Sequence, residues 1–206
     1  MAVLIYLLAL GFVIGLSGAL LPGPLLVYTI SESLKRGRMA GPLIILGHVI
    51  VEVFLIGLIA LGVATFVSSP FFVAAVSVIG GFVFVLMGVQ LFRTEFKYEK
   101  KEDFAHHIVL GGMFFSAFNP GFPIWWATAG SRMLLEGYAA AGLLGVAVIV
   151  VGHWFADVGY FTLVSFAVHR GREKILTEKY VQWVRKGLAL VLAAVGLYFL
   201  RTGLPV

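Results

Sequence analysis

Six long apolar runs separated by short polar stretches fill this chain, at 2–30, 39–66, 71–92, 108–134, 138–168 and 183–200. The first five exceed the roughly 20 residues that a helix needs to cross a bilayer, and the last, of 18 residues, lies within the workable range of about 17–25. Periodicity alone does not separate a buried helix of a soluble protein from a spanning one. Six runs of this length, with glycine spread through them, cannot however be hidden inside a globule of 206 residues. A membrane barrel would instead show short alternating segments, and none is visible. The pattern predicts an all-α membrane protein with six transmembrane helices.

Composition agrees, with 61% apolar and 12% charged residues, well outside the range of soluble domains. The chain starts without a basic n-region, and its first apolar run outlasts a secretory h-region, so the first helix is expected to be retained. The absence of cysteine removes disulfides, thiolate metal ligands and thiol relays. Charge then predicts orientation. Lys35, Arg36 and Arg38 follow the first run; Arg93, Lys97, Lys100 and Lys101 follow the third; Arg170, Arg172, Lys174, Lys179, Arg185 and Lys186 surround the fifth connection. Of the 15 Lys and Arg only Arg132 and Arg201 lie on the other side. The positive-inside rule places the three basic connections in the cytoplasm and both termini outside, in a multi-pass plasma-membrane protein. The net charge of +5 is thereby a topology signal facing anionic lipid, and no nucleic-acid partner is implied.

The chain also repeats itself. Gly47-His48-Val49-Ile50-Val51-Glu52 returns as Gly152-His153-Trp154-Phe155-Ala156-Asp157, Pro22-Gly23 returns as Pro120-Gly121, and Gly88 followed by Leu91 to Thr94 is echoed by Gly196 followed by Phe199 to Thr202. The copies are 105, 98 and 108 residues apart. Ordered landmarks with slowly growing offsets point to a duplicated three-helix unit: 1–93 as the first repeat, 94–107 as a cytoplasmic linker and 108–206 as the second. With an odd number of helices in each unit the second must be inverted, as in secondary transporters that carry their site near mid-membrane.

Proline removes an amide donor and clashes with the preceding turn, so Pro22-Gly23-Pro24 and Asn119-Pro120-Gly121-Phe122-Pro123 are expected to break the first and fourth helices. Unwound backbone at that depth belongs beside protein or a wet cavity. The amides following Pro24 and Pro123 are expected to receive an anionic group such as a substrate carboxylate. The candidate binding residues are therefore Pro22, Gly23, Pro24, Glu52, Asn119, Pro120, Gly121 and Asp157.

A step of four residues returns to the same helix face, so His48 pairs with Glu52 and His153 with Asp157. An ionised acid at mid-bilayer costs about 2.5–3.5 kcal/mol, and Ser or Thr would join helices at lower cost. The four residues are thus candidates for proton coupling and for holding a substrate amine, and are read as the only ionisable groups far from water. Two imidazoles and two carboxylates are also a donor set for a metal. A divalent-metal transporter using His48, Glu52, His153 and Asp157 is the alternative, and a non-transporting membrane scaffold is a third reading. No enzyme activity and no cofactor are expected, because Ser17, Ser116 and Ser131 lack triad-like company. Trp125 and Trp126 follow the second break closely and are kept as wall residues of a cavity, although an interfacial belt accounts for most tryptophans in such proteins.

Leu21-Pro22-Gly23-Pro24, the stretch Lys35-Arg36-Gly37-Arg38-Met39-Ala40-Gly41 leading through Gly47 to an acid at Glu52, and Asn119-Pro120 together resemble the lysine exporter (LysE) family of amino-acid efflux carriers, over nearly the whole chain. The resemblance implies six helices, a possible homodimer, and export of a small-molecule substrate such as an amino acid, driven by protons or membrane potential. Many members carry Asp-Asn where this chain has Leu25-Leu26, and Gly-Asp where it has Val51-Glu52, while His48 and His153 are not part of the general pattern. Those departures leave the substrate open and favour a more apolar one.

Overall fold

The structure, a computed structural model, describes residues 1–21, 23–61, 69–93, 105–175 and 178–203, with side chains described outside 172–181. Among these residues every regular element is helical. In order they are α1 (Ala2–Ala19), α2 (Pro24–Arg36), α3 (Ala40–Ala60), α4 (Pro70–Arg93), α5 (Ala105–Ala117), the short α6 (Gly121–Trp125), a π-helical segment (Trp126–Gly130), α7 (Ser131–Ile175) and α8 (Glu178–Gly203). Five helices among the described residues are long and apolar enough to cross a bilayer: Ala2–Ala19, Ala40–Ala60, Pro70–Arg93, Gly121–Gly171 and Gln182–Gly203. Ala105–Ala117 is a shorter apolar helix.

The fourth and fifth runs meet elsewhere than expected. Continuous helix over the 45 residues of α7 would extend about 68 Å, more than twice the roughly 30 Å hydrocarbon core. It is divided at Ala141 (φ −155°, ψ 27°) and Gly142 (φ 60°, ψ −145°), and the positive φ of Gly142 is a conformation that a side chain would strain. Gly137, expected in the turn, is helical instead and packs against Gly145 across the hairpin, each glycine in close contact with the carbonyl of the other. Both breaks among the proline motifs are present: α1 stops at Ala19 and α2 starts at Pro24, while α5 stops at Ala117 and α6 starts at Gly121. Pro22 lies outside the described residues, as do 62–68, 94–104 and 204–206.

Helices in lipid associate through close packing of small residues, because lipid tails are as apolar as leucine. The glycines set these contacts. A Cβ on Gly11 would collide with the carbonyl of Ile149, and one on Gly152 with the carbonyl of Leu8, so α1 lies directly on α7. In the other half, a Cβ on Gly112 would collide with the carbonyl of Ile44 and one on Gly47 with that of Val109, so α5 lies directly on α3. Leu8 and Gly11 precede Val109 and Gly112 by 101 residues, and Ile44 and Gly47 precede Ile149 and Gly152 by 105. The pairs α1·α7 and α5·α3 are therefore the same contact made twice. α4 packs on α8 through Gly81 against Gly196 and Gly88 against Ala189. Outward faces carry Phe54, Phe71, Leu143, Leu163 and Leu190 in exposed positions, the surface that lipid covers.

Two further ionisable groups are buried. Glu32 is 5% exposed and Arg185 3%, so the four His and acid residues are not the only ones. Glu32 sits near the end of α2 and pairs with Lys35 Nζ at 2.9 Å and Arg36 Nε at 2.7 Å.

Candidate functional site

The two His-acid couples meet. His48 Nε2 is 3.2 Å from Glu52 Oε1 on α3, and His153 Nε2 is 3.2 Å from Asp157 Oδ2 on α7, as the four-residue spacing requires. The helices are close enough for the couples to cross: His153 Nε2 lies 2.9 Å from Glu52 Oε1 and His48 Nε2 lies 3.8 Å from Asp157 Oδ2. All four residues are buried, with Glu52 1% exposed and Asp157 2%.

The acids are not equivalent. Glu52 Oε1 accepts a hydrogen bond from Trp126 Nε1 at 3.1 Å as well as sitting 2.9 Å from His153 Nε2, and its Oε2 accepts from Trp154 Nε1 at 2.9 Å. It is a fully engaged carboxylate. Asp157 Oδ2 is buried and makes no hydrogen bond, although both imidazoles are near it. The histidines differ in the same way. His48 Nδ1 is 2.7 Å from Ser116 Oγ, which is also 2.7 Å from the Gly112 carbonyl. The serine thus joins the His48 ring to the backbone of α5, and the imidazole tautomer sets which of the two donates at Nδ1. His153 Nδ1 is buried with no hydrogen-bond partner, and a Cβ on Gly15 would come within 2.7 Å of it. Its ring is held by stacking on Trp125, centroids 5.0 Å apart, and by an edge contact with Trp126 at 5.4 Å.

Trp125 and Trp126 both line the cavity, as wall residues rather than a belt. Trp126 has no exposed surface and is the largest side chain in the interior. It opens the π-helical segment, in which Ser131 Oγ donates to the Trp126 carbonyl at 2.7 Å across a five-residue step. That single wide turn is a recurrent device at functional positions, and here it introduces the segment that follows the indole aimed at Glu52. Trp125 Nε1 donates to Ser17 Oγ at 3.3 Å. The signal was present in the sequence as two indoles beside the second break and a third next to His153. No periodicity says which way an indole N–H points.

A cavity of about 480 Å³ joins these groups. Its wall includes Gly23 and Pro24 of the first break, Asn119 and Gly121 of the second, and His48, Glu52, His153 and Asp157. Pro120 is buried beneath it as the residue that caps α6. The remaining wall is apolar and includes Leu25, Leu26, Phe122, Phe161, Val195 and Phe199, of which the last three were not anticipated.

At the second break the amides are capped locally. Gly121 N donates to Asn119 Oδ1 at 3.0 Å and Phe122 N to the Asn119 carbonyl at 3.0 Å, while Pro123 is the third residue of α6 and has no amide. Asn119 thus takes the two amides that precede Pro123. At the first break Val27 N donates to the Gly23 carbonyl at 3.2 Å, and the amides of Leu25 and Leu26 precede it in the first turn of α2, where backbone donors lack intrahelical acceptors. Asn119 reaches across: a Cβ on Gly23 would be 3.8 Å from its Nδ2.

Searches of curated proteins and of solved structures returned no match to this chain. A family comparison did: the model described as LysE type translocator matches residues 16–203. The chain, with its multiple apolar helices and buried polar cavity, belongs to the LysE type translocator family of membrane transporters.

Proposed function

We propose that the chain is a secondary transporter exporting an amino acid or related small zwitterion, coupled to protons or to membrane potential, through the cavity at the meeting of its two halves. The observation that carries this reading is the cavity itself, which brings both helix breaks and a carboxylate oxygen without a hydrogen bond to one largely apolar chamber. A zwitterion leaving water needs replacements for the hydration of an anion and a cation together. The first-turn amides of α2 and Asn119 Nδ2 suit the carboxylate, and Asp157 suits the amine. Amine and proton compete for Asp157, and occupancy by either neutralises the charge that resists a change of access. Glu52, held by two indoles, anchors the cluster while His48 and His153 tune it.

The wall of Leu25, Leu26, Phe161 and Phe199 favours a substrate with an apolar side chain, since an apolar pocket leaves polar side-chain groups unpaired. The glycine contacts made twice, α1 on α7 and α5 on α3, support two inverted three-helix units, with six passes once the division of α7 at Ala141 and Gly142 is counted. The distribution of Lys and Arg supports both termini outside a plasma membrane, and a homodimer rests on family resemblance alone. The test is export of a panel of amino acids from proteoliposomes with and without a pH gradient. Leucine or phenylalanine should move faster than lysine or aspartate, with flux responding to the gradient; absence of flux for every amino acid would sink the proposal.

A further inference from the structure

We propose that, in place of the amine or proton that the transport reading puts on Asp157, His48 Nε2, Glu52 Oε1 and Asp157 Oδ2 can hold a first-row transition-metal dication of the zinc class, with its remaining coordination open to the cavity. These three atoms lie within 4.8 Å of one another, and all three residues line the chamber.

The hydrogen-bond network suits His48 as a ligand. With the Ser116 proton on the Gly112 carbonyl, His48 Nδ1 donates to Ser116, and in that tautomer a neutral ring presents a lone pair at Nε2. That lone pair faces two carboxylate oxygens, at 3.2 and 3.8 Å. Glu52 Oε1 already accepts from Trp126 Nε1 and lies 2.9 Å from His153 Nε2, so the unmet acceptor of the three is Asp157 Oδ2. A single extra proton on Nε2 can serve one oxygen only. A dication uses all three lone pairs, and two carboxylates with neutral imidazole balance its charge.

Ligands around a tetrahedral metal at about 2.1 Å stand roughly 3.4 Å apart. The two separations from His48, 3.2 and 3.8 Å, bracket that value, and the set as a whole spans up to 4.8 Å, so binding would draw the two carboxylate oxygens together. An imidazole in the set excludes calcium and magnesium, which take oxygen ligands, and fits zinc, cobalt, nickel or iron.

The surroundings are those of a prepared site. Ser116 orients His48, and Trp126 and Trp154 hold Glu52 from both oxygens, the outer contacts that metal ligands ordinarily have. His153 donates to Glu52 and stays outside the set, because its Nδ1 has no acceptor to compensate for metal on Nε2.

The experiment titrates chelator-stripped protein in nanodiscs with Co²⁺, reading visible absorption, and then with Zn²⁺ in competition. One ion per chain is expected. His48→Gln and Asp157→Asn should each weaken binding at least about 100-fold, and Ser116→Ala about 10- to 100-fold. The double variant His106→Gln with His107→Gln, on an exposed pair, should bind as the unaltered protein does. Absence of saturable binding, full affinity in Asp157→Asn, or loss of binding in the His106 and His107 variant each overturns the proposal. If His48→Gln does not purify as folded protein, Asp157→Asn and Ser116→Ala decide. Amino-acid flux measured beside it in chelator-treated vesicles keeps the two proposals apart: flux without metal binding removes this one alone.

Discussion

Glu52 and Asp157 occupy matched places in the two halves, each four residues after a histidine that follows a packing glycine, yet they end in opposite situations. Glu52 has indole donors on both oxygens and an imidazole on one, whereas Asp157 Oδ2 makes no hydrogen bond. The backbones that carry them are alike, with Gly47 against Val109 and Gly152 against Leu8. Duplication thus supplies a symmetric frame, and single side chains break the symmetry. Ser116 serves His48 where Gly15 stands against His153, and Trp126 and Trp154 both turn toward the same acid. A site that must exchange ligands needs one carboxylate held and another left available.

The sharpest test of that difference is Asp157→Asn. The neutral amide keeps size and shape and removes the charge on which proton and amine compete. The variant should retain its thermal midpoint within a few degrees while pH-dependent flux falls to the level of protein-free vesicles. Unchanged pH dependence would make Asp157 a structural residue and move the coupling elsewhere.

Glu52→Gln should behave in the opposite way, losing stability first. A glutamine offers one acceptor oxygen and turns an NH2 group toward donors, so at least one of Trp126 Nε1, Trp154 Nε1 and His153 Nε2 is left facing another donor. Each unsatisfied buried donor costs about 1–3 kcal/mol. A lowered unfolding midpoint in detergent is the expected result; a midpoint equal to that of Asp157→Asn would erase the distinction between the two acids.

The frame itself is tested by Gly47→Ala and Gly152→Ala. Each added methyl meets the backbone of the facing helix, and overpacking costs about 1–3 kcal/mol. Because the two contacts are copies, the losses should match within about 0.5 kcal/mol, measured by thermal unfolding; a loss in one and none in the other would show that the frame is less symmetric than its glycines suggest.

How much of this was legible follows from the kind of signal each feature leaves. The breaks at Gly23-Pro24 and Asn119-Pro120 and the facing of His48 with Glu52 and His153 with Asp157 were readable, because proline chemistry and a four-residue step are local. The crossing of the two couples was readable only as far as the repeat implied a common place for them. The turn at Ala141 and Gly142 was misplaced at Gly137, since a glycine that lets helices touch and a glycine that ends one look the same in sequence. The part played by Asn119 was not legible: it accepts from the amides of Gly121 and Phe122, ahead of Pro123, and a side-chain cap two residues upstream leaves no periodic trace. The indole hydrogen bonds to Glu52 were the largest omission. Their contribution depends on direction, and the π-helical turn at Trp126 leaves no hydrophobic period.

The smallest expected effect belongs to Ser116→Ala, which would make the two histidines alike. Ser116 Oγ bonds both His48 Nδ1 and the Gly112 carbonyl of its own helix, so it ties α3 to α5 beside the close contact of Ile44 with Gly112. Removing the hydroxyl should cost about 1 kcal/mol, a shift of a few degrees in the unfolding midpoint, because the glycine packing remains. The more informative readout is transport. Without that partner the His48 ring is free to place its proton on either nitrogen, and no hydroxyl at Nδ1 biases what Nε2 presents to Glu52 and Asp157. The pH at which flux is half-maximal should therefore move in Ser116→Ala while maximal flux is kept, and Ser116→Thr, which restores a hydroxyl, should bring it back. If the profile stays fixed in both variants, the serine is a helix fastener only, and the difference between the two halves lies in the tryptophans.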